Sequence, residues 1–161
     1  MGRIDKENYY LDIAQTVAGR STCLRRCYGA ILVKSDEIIS TGYNGAPRGR
    51  RNCVDLNYCT REALNIPSGE RYELCRSVHA EANAIISAAR SEALGATLYM
   101  ACVEPDTGTL IPGSTSCSMC RRLIINAGID RVVIRRTKAD YSVVHVRDWI
   151  QEDDSLPPSA K

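Results

Sequence analysis

Cys75-Arg76-Ser77-Val78-His79-Ala80-Glu81-Ala82-Asn83-Ala84-Ile85-Ile86 is the stretch from which the rest of the chain can be read, and Cys117-Ser118-Met119-Cys120 completes it. His79, Cys117 and Cys120 are soft-to-borderline ligands, enough to hold Zn²⁺ while leaving its fourth position open to water. Glu81 lies two residues from the histidine, is not needed for coordination and is suited to carrying protons. A C-x-x-C alone carries little weight, since a redox pair or half of a structural zinc knuckle has the same form. Neither of those needs the H-x-E element, so the combination reads as a catalytic zinc centre.

After the histidine, Ala82, Ile85, Ile86 and Ala89 give the i, i+3, i+4, i+7 stripe of a buried helix face. Two residues two apart point to opposite sides of a regular helix. His79 and Glu81 can face one metal only if His79 stands at the first turn, with Ser77 as the cap. The second helix is expected over Cys117 to Ala127, with Met119, Leu123 and Ala127 towards the core and Gly128 as its stop.

Working outward, helical spacing of Tyr9, Tyr10, Ile13, Ala14 and Val17 marks a first helix from about Asp5 to Arg20. Tyr28 to Lys34 and Ile38 to Tyr43 read as strands joined by a short turn, a hairpin. Thr97 to Val103, Arg131 to Arg135 and Val143 to Val146 add three more. Asn44-Gly45-Ala46-Pro47-Arg48-Gly49-Arg50-Arg51 breaks all periodicity, and its glycines would let backbone N–H groups approach a ligand. Residues 52–76 carry no strand or helix signal, which in a compact domain suggests a functional or stapled loop. A hairpin followed by alternating helices and strands predicts an α/β fold, a three-layer α/β/α arrangement around a mixed sheet. One domain over residues 1–152 is expected, with a disordered tail at 153–161 around Pro157-Pro158.

The chain has 161 residues, 44% of them hydrophobic and 25% charged, as in an ordinary soluble globular protein. Its net charge of +2 and the lack of a basic stripe speak against a polynucleotide partner. No apolar run reaches the ~20 residues of a membrane span. Eight cysteines without a secretory signal point to metal rather than disulfides, and to the cytosol.

At these residues the chain resembles the zinc-dependent cytidine and deoxycytidylate deaminase superfamily, and most closely its dCMP deaminase branch. The resemblance spans Ser21 to about Ile134 and includes Ser21-Thr22-Cys23, Tyr28 to Val33, Ser40 to Pro47, His79-Ala80-Glu81 and Cys117 to Cys120. It implies a five-stranded sheet between helices, a homo-oligomer such as a hexamer, and hydrolytic deamination of a cytosine nucleotide, dCMP to dUMP. It makes His79, Cys117 and Cys120 the zinc ligands, Glu81 the proton shuttle, and Asn44, Ala80 and Tyr141 substrate contacts. It also implies a structural zinc on Cys23, Cys53, Cys59 and Cys75, with Cys27 as the substitute, and regulation by dCTP and dTTP. Arg48, Arg50 and Arg51 are the expected phosphate or effector contacts, because the guanidinium fork suits phosphate.

Two departures stand out. Ser116 replaces the proline usual before the first cysteine of the pair and is expected to cap the helix instead. The segment from Glu104 to Thr115 is longer than usual. A deaminase of another aminated base or of tRNA adenosine is the alternative within enzymes. A non-catalytic zinc-stabilised binding module is the alternative outside them, and Cys102 is expected to be a small core residue.

Overall fold

Strand β1 (Cys27–Lys34) is buried along both faces, as a central strand must be when helices cover both sides of a sheet. It pairs antiparallel with β2 (Glu37–Tyr43) and with β3 (Thr97–Val103). Strand β3 pairs parallel with β4 (Arg131–Arg135), and β4 antiparallel with β5 (Tyr141–His145). The computed structural model, which describes residues 2–161, thus has a five-stranded mixed sheet in the order β2-β1-β3-β4-β5. The helices are α1 (Lys6–Ala18), α2 (Cys53–Leu56), α3 (Thr60–Ala63), α4 (Ala80–Ile86), α5 (Arg90–Ala93), α6 (Ser118–Ala127) and α7 (Val146–Glu152).

Alternation along the strands divides the core in two. Ile31, Val33, Tyr99, Ala101 and Val133 face α1, which contributes Tyr10, Leu11 and Ala14. Ala30, Leu32, Leu98, Met100, Val132 and Ile134 face the other way, against Ala80 and Ala84 of α4, Ile124 and Ala127 of α6 and Val146 of α7. The expected three layers are therefore present. Arg135 ties α1 down from the end of β4: it is 2% exposed and donates to Asp12 Oδ1 at 2.6 Å and Gln15 Oε1 at 2.9 Å.

Local expectations need several corrections. The helix after His79 ends at Ile86, and its buried face is Ala80, Glu81 and Ala84; Ile86 is 74% exposed. In α6 Ala127 is buried as expected, but Cys120 and Ile124 take the places expected for Met119 and Leu123, and Leu123 is exposed. Each helix begins directly after one of the expected ligands, His79 before α4 and Cys117 before α6. His79 itself, not Ser77, is the N-cap of α4. Cys117, not Ser116, caps α6: its sulfur accepts from Cys120 N at 3.4 Å. Residues 52–76 are not wholly irregular, since α2, α3 and a 3₁₀ turn at Tyr72–Leu74 lie within them. Strand β5 starts at Tyr141, earlier than expected, and Val146 opens α7. Residues 153–161 lie on the surface, where Asp154 pairs with Arg121 at 3.0 Å.

Helix α4 crosses β2 at Gly42, where a Cβ would collide with the Ala80 carbonyl and the Ala84 amide. Gly42→Ala is expected to lever α4 off the sheet and destabilise the protein by about 3 kcal/mol, the upper end of ordinary overpacking. Urea denaturation checks this, with an unchanged m-value showing that the fold itself survives.

Candidate metal centre and cavity

The three expected ligands come from two helix starts on the same side of the sheet. A short ladder fixes the first: Gly45 N donates to Val78 O at 3.1 Å and Val78 N to Gly45 O at 2.7 Å. His79 follows in extended conformation, φ −71° and ψ 155°, and the chain then enters α4. Cys117 is extended in the same way before α6, and Cys120 is one turn further on. His79 Nδ1 lies 3.5 Å from Cys117 Sγ and 3.4 Å from Cys120 Sγ. A tetrahedron with Zn–S of ~2.3 Å and Zn–N of ~2.0 Å has N···S edges of about 3.5 Å. The donor set fits zinc in chemistry and in spacing. Among the described residues, these are the ones that bring three ligand atoms within 4.8 Å of one another.

Glu81 is 3% exposed and faces the same space. Burial raises its carboxyl above the ordinary range, although hydrogen bonding to its own backbone N–H and the His79 charge pull the other way. A carboxyl so placed can take a proton and return it. Cys117 is drawn down to about 4, chiefly by the hydrogen bond from Cys120 and with His79 adding to it. Cys120 is raised in consequence, because one proton shared by two sulfurs stays with the more buried.

These groups open on a cavity of about 470 Å³. Asn44, His79, Ala80, Glu81 and Cys117 line it, and Cys120 is buried behind. Ala80 N–H is the first of α4 and so has no intrahelical acceptor. The Asn44 amide is largely committed within the protein. Its Oδ1 accepts from Ser21 Oγ at 2.6 Å and Tyr28 N at 2.8 Å, and Nδ2 donates to Arg26 O at 2.8 Å. One Nδ2 hydrogen remains. Tyr141 and Arg48, Arg50 and Arg51 are not on the wall. A turn closed by Arg50 N to Pro47 O turns the three arginines out to solvent.

Other cationic groups take their place, of which Arg61 carried no direct sequence signal. Arg25, Arg26 and Arg61 line the cavity, with Glu81 as its carboxylate. Arg26 is exposed and has no side-chain hydrogen bond or ion pair among the described residues. Arg25 pairs with Glu62 at 3.3 Å. Arg61 is 7% exposed and holds the segment above the cavity: it donates to Pro67 O at 2.7 Å and Glu70 O at 2.9 Å and lies over the Tyr72 ring at 4.3 Å. The only sequence hint of Arg61 was the run Asn65, Pro67, Ser68, Gly69, whose turn carbonyls need donors. The long segment after β3 makes another wall. It folds back on the strand through Ile111 N to Cys102 O at 2.9 Å, and Arg136 grips Pro112 O at 2.6 Å. Gly113, Ser114 and Thr115 thereby face the cavity. Cys102 is a buried core residue, as expected.

The other cysteines are neighbours without being gathered. Burial raises the Cys53 thiol, and Cys23, Cys75 and Cys59 add to the shift, in that order for the first two and with Cys59 weakest. Among the described residues, no three of them come within the 4.8 Å that unites His79, Cys117 and Cys120. Cys27 is buried at the start of β1.

Arg61→Met keeps the aliphatic stem and removes the donors to Pro67 and Glu70. The loop should lose about 2 kcal/mol of local stability, the scale of a charged donor left out. Amide exchange across residues 64–75 would then quicken roughly thirtyfold while the sheet amides stay unchanged.

Comparison with known proteins agrees with this geometry. Residues 4–136 match the cytidine and deoxycytidylate deaminase zinc-binding region. The deoxycytidylate deaminase of Mycobacterium phage D29 is 39% identical over 138 residues, 83% of this chain and 96% of that protein. That of Schizosaccharomyces pombe is 35% identical over 127 residues, 79% of this chain but 36% of the longer yeast protein. Among solved structures, the apo dCMP deaminase of cyanophage S-TIM5 shares the fold, with a TM-score of 0.58, 22% identity and 94% of each chain covered. The His79, Cys117 and Cys120 triangle thus lies inside the matched region, and the chain belongs to the cytidine and deoxycytidylate deaminase family.

Proposed function

We propose that the protein hydrolyses deoxycytidylate to deoxyuridylate and ammonia. The observation that carries this reading is one cavity with a buried carboxyl beside a His/Cys/Cys triangle and guanidinium groups on its wall. Its volume of about 470 Å³ suits a ligand the size of a nucleoside monophosphate. Names of relatives support the same substrate: deoxycytidylate deaminases of phages, yeasts and human match this chain.

Zinc on His79, Cys117 and Cys120 would supply, when bound, a Lewis acid that makes water a ready nucleophile at neutral pH. Glu81 accepts a proton as water adds to the ring carbon bearing the amino group. It then delivers protons to the ring nitrogen and to the departing ammonia. The Ala80 N–H is free for the base carbonyl, and the remaining Asn44 hydrogen for a sugar oxygen. The phosphate goes to Arg25 and Arg26, in place of Arg48, Arg50 and Arg51. Those three, exposed and outside the cavity, are left for a triphosphate effector such as dCTP or dTTP.

A second, structural zinc on Cys23, Cys53, Cys59 and Cys75 is supported by the influence of the other three on the Cys53 thiol and by the four thiols that closed zinc sites use. Binding would draw the sulfurs closer than they stand here. A homo-oligomer is supported by Ile86 and Leu123, which leave apolar surface on α4 and α6 exposed. Eight unpaired thiols suit a reducing compartment such as the cytosol.

Glu81→Gln should keep its zinc and lose ~10²–10⁴-fold in kcat, and full turnover with full zinc would sink the assignment. Deoxycytidine should be used roughly a hundredfold less efficiently than dCMP, and Arg26→Ala should narrow that gap where Arg50→Ala does not. Metal analysis of freshly purified protein should give two zinc ions per chain; one ion would remove the structural site.

A further inference from the structure

The guanidinium groups on the cavity wall are not equivalent. Arg61 commits Nε and Nη2 to the carbonyls of Glu70 and Pro67 and lies over the Tyr72 ring, so its donors serve the protein. Arg26 is exposed and meets no side-chain partner among the described residues. Arg25 stands between these two cases. Its Nε lies 3.3 Å from Glu62 Oε1, while its two terminal nitrogens make no hydrogen bond among the described residues. Glu62 comes from α3 and Arg25 from the segment before β1, so the pair joins two separately built parts of the wall.

The pair is too exposed to matter much for folding. Its side chains are 37% and 56% exposed, and ion pairs of that kind add little to stability. What it fixes is charge. A phosphate on the terminal nitrogens of Arg25 lies within ~7 Å of the Glu62 carboxylate, one guanidinium and one hydrogen bond away. At that separation each further negative charge on a ligand weakens its binding roughly five- to tenfold near a solvated surface. Arg25 and Arg26 bring two positive charges, which match the roughly two negative charges of one terminal phosphate group. A second phosphate group meets no further uncommitted arginine on the wall among the described residues, and has the carboxylate beside it.

We propose that Glu62 is a specificity-determining residue: paired with Arg25 at the cavity wall, its carboxylate admits a nucleoside monophosphate and repels the corresponding diphosphate. This rests on the reading of Arg25 and Arg26 as the phosphate contacts. Glu62 is remote from the reacting atoms and acts through the field it sets at Arg25. Selection of this kind works by a repulsive element against the wrong ligand rather than by an added contact to the right one.

The test is the ratio of kcat/KM for dCMP to that for dCDP, read alongside the calorimetric Kd ratio of dUDP to dUMP, which needs no turnover. Glu62→Gln keeps the length of the side chain and an oxygen for Arg25 but removes the charge. It should lower both ratios roughly five- to tenfold. Glu62→Lys should lower them by about the same factor again, and Glu62→Asp should hold them near the wild-type values. The gap between wild type and the glutamine variant should close in ~1 M salt, where the Debye length is about 3 Å. A carboxylate that only braced α3 would not order the variants by charge. Ratios that do not follow the charge at residue 62, or a gap that survives high salt, would overturn the proposal. Failure of the underlying reading looks different, because the wild-type protein would then use deoxycytidine as well as dCMP and bind deoxyuridine as well as dUMP.

Discussion

At Gly42 a strand and a helix meet backbone to backbone, and the geometry of the metal centre depends on that contact. The missing side chain lets the first turn of α4 settle on β2, with the Ala80 carbonyl and Ala84 amide where a Cβ would stand. Ser40, two residues earlier on the same face, donates to Ala84 O at 2.6 Å and fixes the helix from the other end. Three residues beyond Gly42, Gly45 ladders with Val78 and sets the direction in which the chain reaches His79. Between them, Asn44 spends three hydrogen bonds on Ser21, Tyr28 and Arg26. A segment that reads as a ligand-binding loop is thus first a bracket that joins the hairpin, the residues before β1 and the start of α4. A bracket of this kind gives a catalytic group the rigid support that precise placement needs.

The strands were legible because their signal is local. Ile31 to Val33 and Val132 to Ile134 are buried on both faces, so a short apolar run was enough. The grouping of His79, Cys117 and Cys120 was legible because metal-ligand chemistry restricts residue type more tightly than packing does. Helix faces were not. In α4 the buried positions include Glu81, a carboxylate that no apolar pattern would place inside, and Ile86 is exposed. The periodicity therefore pointed to the wrong side. In α6 Cys117 caps the helix and Cys120 is buried, with Ile124 inside in place of Leu123 and only Ala127 as the periodicity had it. Which arginines line the cavity was hidden for a related reason. Arg48, Arg50 and Arg51 follow a glycine-rich motif closely in sequence, but the turn at Pro47 sends them outward, whereas Arg25, Arg26 and Arg61 reach the cavity from separate segments. Proximity along the chain does not place a side chain on the cavity wall.

The cavity wall also shows how an irregular segment can be kept in one shape without a sheet or a long helix. Residues 64–74 have turn conformations with positive φ at Asn65 and Arg71, and little apolar burial to hold them. Arg61 satisfies two of their carbonyls and stacks on Tyr72, so one long cation does the work of a small core. On the opposite wall Arg136 does the same for the segment before Cys117. Guanidinium groups suit this task because five donors in a plane can serve several carbonyls at once.

The candidate ligands lie far apart in sequence, His79 and Cys120 being 41 positions apart, with β3 and the approach to its parallel crossover between them. An ion held by both ends closes that span as a cross-link would, and removes conformational freedom from the unfolded chain. It also binds the folded form preferentially, so the folded population rises with free ion concentration. Resistance to heat and to proteases would then follow the supply of the metal. The centre that performs the chemistry would act as the chain's own gauge of zinc sufficiency, and starved protein would be lost through unfolding as well as through inactivity.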